Sequence, residues 1–276
     1  VGWRYDRALI AGIFDDYGER EWQRHDASPA HRVSFYLHRH YLAEFVSGGD
    51  QVLDIGAGPG RFTIELARLG AHIFVGDISQ KQLQLNEQNL KEAGYEASVT
   101  GRAIVDVSDL SRFADATFDA VVCYGSPLGW VLDGADAALG ELLRVLKPGG
   151  PLLASVSSLY GSFRSFLPGV AKEIQRFGLD EMREIFDTGS QGGGHSPLGP
   201  HHMFTWRELS DLIARHPCQL KAASASNFLS LQNDEITESW SHDTEMWEQL
   251  LDWELTVCRQ AGALDGGTHI IFVVLR

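Results

Sequence analysis

The stretch Asp54-Ile-Gly56-Ala-Gly58-Pro-Gly60 constrains this chain more than any other feature. Before it, Gln51-Val-Leu-Asp-Ile55 reads as a short buried strand. After it, Phe62, Leu66 and Leu69 fall on one helical face at i, i+4, i+7. Alternate glycines between a strand and a helix let the backbone turn tightly and let a ligand come close. The free N–H groups and positive dipole end of the helix favour an anionic group. A dinucleotide fingerprint starting at Gly56 would need its third glycine at position 61, which is Arg61. A nicotinamide dehydrogenase is therefore a poor match.

Strands and helices alternate beyond the turn. His72-Ile-Phe-Val-Gly-Asp77 reads as a second strand, and Ser79 with Gln82 makes a capping-box pattern opening the next helix. Residues 98–105 form a third strand and Phe118-Asp-Ala-Val-Val-Cys-Tyr124 a fourth. Leu139, Leu142, Leu143 and Leu146 make a helical stripe that Lys147-Pro-Gly-Gly150 ends, and Leu152-Leu-Ala-Ser-Val156 is a fifth strand. This order implies right-handed crossovers and a mostly parallel sheet. Residues 1–47 read as helical and aromatic, a lid over the domain formed by residues 48–276. Residues 159–204 read as a cap inserted after strand five, with one helix at about 170–186 and a Gly/Ser/Pro loop at 189–200. A strand at 219–224, one long helix at 240–262 and a last strand at 270–275 complete the chain.

The D-x-G-x-G-x-G pattern of Asp54 to Gly60 resembles motif I of the class I S-adenosylmethionine-dependent methyltransferases. Asp77 ends the second strand, Asp106-Val107 follows the third, Phe118-Asp119 opens the fourth and Leu146-Lys-Pro-Gly-Gly150 precedes the fifth. These extend the resemblance over residues 50–157. It implies an α/β Rossmann-like fold: a mostly parallel seven-stranded sheet with helices on both faces, ending in an antiparallel hairpin. The implied cofactor is S-adenosylmethionine, with S-adenosylhomocysteine as product.

The same resemblance implies residue roles. Gly56, Ala57 and Gly58 would contact the methionine part through backbone, and Asp54 its amino group. Asp77 would accept the ribose hydroxyls, with Ile78 on the adenine. Asp106 would take the adenine amino group and Val107 the ring. Gln82 could lie over the cofactor too; apart from the resemblance, Tyr17 and Trp22 of the aromatic N-terminal segment are candidate lid residues, Tyr17 over the cofactor. Cys123, Tyr124 and Gly125 would sit beside the sulfonium and methyl group. Local roles compete with several of these: Asp54 and Asp106 suit turn caps, Gln82 suits the capping box, Cys123 suits a small core residue, and Tyr17 and Trp22 suit packing aromatics.

The methyl transfer itself is cofactor chemistry; the protein aligns a nucleophile and excludes water. His195, His201 and His202 lie in or just after the insert. A histidine titrates near neutrality, so His201 or His202 is expected to face the acceptor as a base. No metal site is expected, because no carboxylate sits at a matching ligand spacing.

The formal net charge of −14 argues against a nucleic-acid substrate. Arg32, His38, Arg39 and His40 are the best basic cluster, and they read as a solvated helix face. Cys123-Tyr-Gly-Ser-Pro-Leu128 lacks the acid-or-Asn, Pro-Pro-aromatic run of relatives that methylate bases or protein amides. A small-molecule acceptor, methylated at O, N or C, is the favoured reading. A tRNA or rRNA methyltransferase and a non-catalytic S-adenosylmethionine-binding protein stay open. Three scattered cysteines, with no membrane-length apolar run and no secretory signal, lead to an expected cytoplasmic setting.

Overall fold

The computed structural model describes residues 4–24, 26–194 and 199–276. His195 and Trp3 lie outside the described residues. The chain opens with α1 (Arg7–Tyr17), α2 (Arg20–Arg24) and α3 (Pro29–Phe45). There follow β1 (Gln51–Ile55), α4 (Arg61–Arg68), β2 (His72–Asp77), α5 (Gln80–Ala93), β3 (Val99–Ile104), β4 (Ala120–Cys123), α6 (Pro127–Trp130), α7 (Ala135–Val145) and β5 (Pro151–Ser157). Next come α8 (Leu159–Ser165), α9 (Leu167–Phe177), α10 (Leu179–Thr188) and the short strands β6 (Ser190–Gln191) and β7 (His201–His202). The chain ends with α11 (Trp206–Ala214), β8 (Gln219–Ala225), α12 (Asp234–Ser241), α13 (Thr244–Cys258) and β9 (His269–Leu275).

Seven strands form one sheet in the order β3-β2-β1-β4-β5-β9-β8. The first five are parallel, and β9 runs antiparallel to both β5 and β8. This is the Rossmann-like α/β sheet expected from the sequence. Side chains alternate between the faces along each strand. Leu53, Val121, Leu152 and Phe272 pack on one face with Leu139 and Leu142 of α7 and Leu209 of α11. Val52, Val122, Leu153 and Val273 pack on the other with Leu37 of α3, Leu66 of α4 and Leu83 of α5. Strand order reverses at β1, between β2 and β4. The crevice beyond the carboxyl ends of those strands is where open α/β sheets hold ligands.

Three expectations need correction. The single helix at 170–186 is two, α9 and α10. Gly178 breaks it at φ +97°, a conformation that suits glycine, after its N–H closes on the Ile174 carbonyl. The single helix at 240–262 is also two, because Asp243 starts a fresh cap and its carboxylate accepts from the Met246 N–H. His38 is not on a solvated face: it is 5% exposed, against Tyr124 and Phe62.

Candidate functional site

The glycine turn forms the floor of a pocket at the β1/β4 switch point. Gly56 and Gly58 have φ of +69° and +53°, the left-handed region where a Cβ is strained. A Cβ on Gly56 would also stand 2.6 Å from Pro127 Cγ. The turn is held from below. Thr63 Oγ1 donates to Asp54 Oδ2 at 2.6 Å, Asn86 Nδ2 donates to Thr63 Oγ1 at 3.0 Å, and Asn89 Nδ2 donates to the Pro59 carbonyl at 2.8 Å. Burial pushes the Asp54 carboxyl up to about 7. Asp54 is 2% exposed and does not line the pocket, so its carboxylate supports the turn.

Asp77 ends β2 on the pocket wall. Its Oδ2 accepts from Gly58 N–H and its Oδ1 from Ser79 N–H, both at 2.8 Å. Burial pushes its carboxyl up to about 6, opposed by those backbone donors. Each carboxylate oxygen has a second acceptor position, so Asp77 can still receive two hydroxyls. Further along, Asp106 Oδ1 accepts from the Ser108 N–H and hydroxyl, while Oδ2 accepts from the Tyr5 hydroxyl at 2.8 Å. The local-cap role of Asp106 is thus present, and its side chain still lines the pocket with Val107.

The pocket spans about 820 Å³, part of it open to solvent, between the turn, the ends of β2 and β4, and the first two helices. Gly56, Ala57, Gly58, Asp77, Ile78, Gln82, Asp106, Val107, Tyr124 and Gly125 of the sequence-derived set line it. Tyr17, Asp54 and Cys123 do not. Tyr17, the last residue of α1, stacks beneath Arg20 of α2, with the guanidinium 4.6 Å from its ring centre. Cys123 is fully buried in the sheet core, and burial raises its thiol pKa.

The N-terminal helices are tied to the start of α5. Gln82 Nε2 donates to the Phe14 and Gly18 carbonyls, at 2.9 and 3.1 Å. The capping box is only half made: Gln82 N–H donates to Ser79 Oγ, while the Gln82 side chain reaches the end of α1 instead of returning to Ser79. Asp15 accepts from the Ser79 hydroxyl and from Lys81 N–H. Arg61, the residue that excluded a dinucleotide fingerprint, pairs with Asp26 and lies over the Trp22 ring. The unpartnered buried atoms Gln82 Oε1 and Trp130 Nε1 belong to pocket residues.

Several pocket residues were missed from sequence: Tyr5, Phe14, Glu21, Arg24 and Trp130. Glu21 and Arg24 form a bidentate pair one helical turn apart. Glu21 packs near Gly58 and the Arg24 guanidinium near Gly125. An acid and an arginine at i, i+3 beside Trp22 was the available signal. Ser126, at φ +72°, is a non-glycine residue in the left-handed region. Its Oγ accepts from Ser157 N–H, which ties the end of β4 to the end of β5.

His202, one of the two expected bases, lies outside this pocket. Its Nδ1 meets Ser190 Oγ and its Nε2 pairs with Glu208 at 2.7 Å, in a separate surface hollow with Asp133 and Arg215. His201 does not line the cofactor pocket either. It lies behind Trp130, 4.5 Å between ring centres, with the Gln191 amide on its edge. Burial pushes His201 down to about 4. Among the described residues no three His, Cys, Asp or Glu side chains are placed to hold a metal ion, and no helix is long and apolar enough to cross a membrane.

The comparisons agree with this geometry. Residues 52–150 match the family model of the methyltransferase domain. The chain is similar to a ubiquinone biosynthesis O-methyltransferase of Alkalilimnicola ehrlichii, 28% identical over 205 residues, covering 73% of this chain and 77% of the relative. It is also similar to a ubiquinone/menaquinone biosynthesis C-methyltransferase of Pasteurella multocida, 31% identical over 162 residues. That match covers 51% of this chain, which spans 58% of the relative's length. Geranyl diphosphate C-methyltransferase from Streptomyces coelicolor A3(2), crystallised with Mg2+, geranyl diphosphate and S-adenosyl-L-homocysteine, has a TM-score of 0.53 at 15% identity. That likeness covers 87% of this chain and 78% of the other and shows the shared fold. Fold and turn define the class I Rossmann-like methyltransferases. Residues 52–150 are a methyltransferase domain of that class, and its cofactor is S-adenosylmethionine.

Proposed function

We propose that this chain moves the methyl group of S-adenosylmethionine onto a small-molecule acceptor. The observation that carries the reading is the Asp77 carboxylate standing on the pocket wall beside the Gly56–Gly58 turn, hydrogen-bonded to the turn itself. Asp77 takes the ribose hydroxyls. Ile78, Val107 and Asp106 hold the adenine. Gly56, Ala57 and Gly58 receive the methionine part through backbone, while Glu21 and Arg24 exchange their mutual pair for its amino and carboxylate groups. The cofactor supplies the electrophilic methyl group. Tyr124 and Gly125 flank it at the end of β4.

Residues 1–47 act as the lid and 159–204 as the acceptor-side cap of the 48–276 domain. The named relatives modify small molecules, which supports a small-molecule acceptor, as does the net charge of −14. The three free cysteines suit a reducing compartment such as the cytoplasm. Calorimetry with S-adenosylhomocysteine tests the reading. One molecule should bind per chain, and NAD should not compete. A chain that binds NAD and ignores S-adenosylhomocysteine refutes it.

A further inference from the structure

The Asp106 end of the pocket holds a long-range contact that the methyl-donor reading leaves unused. Asp6 caps α1: its carboxylate accepts from the Ala8 and Leu9 N–H groups. Tyr5, just before that cap, and Ile10, the fourth residue of the helix, occupy the two positions of a hydrophobic staple. Ile10 is buried, Tyr5 packs against the core cluster that contains Val105, Val107 and Val131, and both line the pocket. The entry of the chain into α1 is thereby fixed, and with it the Tyr5 hydroxyl.

That hydroxyl donates to Asp106 Oδ2 at 2.8 Å, and Asp106 stands on the pocket wall, 6% exposed. A carboxylate only accepts, and offers about four acceptor positions. The Ser108 N–H and hydroxyl take two of them on Oδ1, at 2.9 and 2.7 Å, and Tyr5 takes one on Oδ2. One position on Oδ2 is left. Arg7 Nε lies 3.8 Å from the same oxygen, but its side chain is 54% exposed, so water screens it. The remaining position suits an N–H donor. A 6-aminopurine presents one, whereas a purine without the amino group presents none.

We propose that Tyr5 sets the selectivity of the methyl-donor site for a 6-aminopurine. By holding one side of Oδ2, its hydroxyl keeps the carboxylate from turning away and leaves a single acceptor position for the amino hydrogen of the base. Tyr5 acts through Asp106 and is a positioning residue. The proposal rests on the reading above that places the adenine at Asp106. The Ser108 and Tyr5 bonds and the bond to the base form one network around a single carboxylate, and each member supports the others. Because Tyr5 precedes α1, the same network ties the N-terminal segment to the base.

Calorimetry with S-adenosylhomocysteine and its 6-desamino analogue tests the assignment. Wild type should prefer S-adenosylhomocysteine about 30-fold, the worth of one hydrogen bond to a charged acceptor. Tyr5→Phe keeps the ring and the staple and removes only the hydroxyl. It should cut that preference about ten-fold, while affinity for the desamino analogue changes less than about two-fold. A merely structural Tyr5 would lower both affinities alike and leave the preference unchanged, and that result overturns the proposal. Equal affinity of wild type for the two ligands also overturns it, by taking the base away from Asp106. Failure of S-adenosylhomocysteine to bind wild type overturns the methyl-donor reading itself. Should Tyr5→Phe misfold by near-UV circular dichroism, trypsin digestion of wild type decides. Arg4 and Arg7 flank Tyr5 and are exposed. At saturation, S-adenosylhomocysteine should slow cleavage there more than the desamino analogue does. Equal protection by the two ligands overturns the assignment.

Discussion

The two sides of this pocket are built on different plans. Most of one side comes from one continuous stretch, Ile55 to Gln82, running from the end of β1 through α4 and β2 into α5. The other side gathers Ile10 and Phe14 from α1, Trp130 from α6 and Val131 just after it. A contiguous site depends on turn geometry, so its residue types and spacing are dictated locally. A dispersed site depends on packing between distant elements, and local sequence says little about it. Changes on the first side should damage fold and cofactor together.

The largest effect expected is at Gly56. Gly56→Ala combines a left-handed backbone with a Cβ 2.6 Å from Pro127 Cγ. It should cost roughly 3 kcal/mol in urea unfolding, and wild-type stability would refute the tight fit. Asp77→Ala should weaken S-adenosylhomocysteine about 100-fold, the loss of hydrogen bonds to a charged acceptor. Calorimetry showing less than a few-fold change would remove Asp77 from the ribose.

The same carboxyl gives a pH signature. Burial raises Asp77 to about 6, so the fold prefers its protonated form. That preference is fully present below the unfolded value of about 4 and is lost as pH rises through 6. Without cofactor, Asp77→Asn should therefore be more stable than wild type at pH 8 by roughly 3 kcal/mol. Near pH 4 the advantage should vanish. Melting curves at the two pH values decide, and an equal gain at both would show that ionisation is not the cause. Thr63→Val breaks the chain from Asn86 to Asp54 and should cost about 1–2 kcal/mol. The smallest effect is at His202. His202→Gln should leave donor affinity within about two-fold, because the ring occupies a separate hollow. A large loss would bring the cap loop back into the site.

The contrast explains what could be read from sequence. The turn, Asp77 and the end of β4 were legible because glycine alternation and strand ends mark them locally. The helix breaks at Gly178 and Asp243 were also locally coded, but a lone glycine or a His-Asp pair competes with a strong helical pattern on either side. His38 was misplaced because Arg32, Arg39 and His40 around it are polar. Yet it continues the buried spacing of Val33, Leu37, Tyr41 and Leu42. His202 drew attention through its chemistry alone, and only Glu208 and Ser190, brought up by folding, show how it is used. Gln82 had a sufficient local role, which concealed its long-range one.

The clasp between Gln82 and the carbonyls of Phe14 and Gly18 has a kinetic consequence. Tyr5, Ile10, Phe14, Glu21 and Arg24 line the pocket from the same segment, so on the proposed reading opening those hydrogen bonds would widen the way out for a spent nucleoside. Weakening the clasp should hasten turnover wherever departure, and not chemistry, sets the tempo.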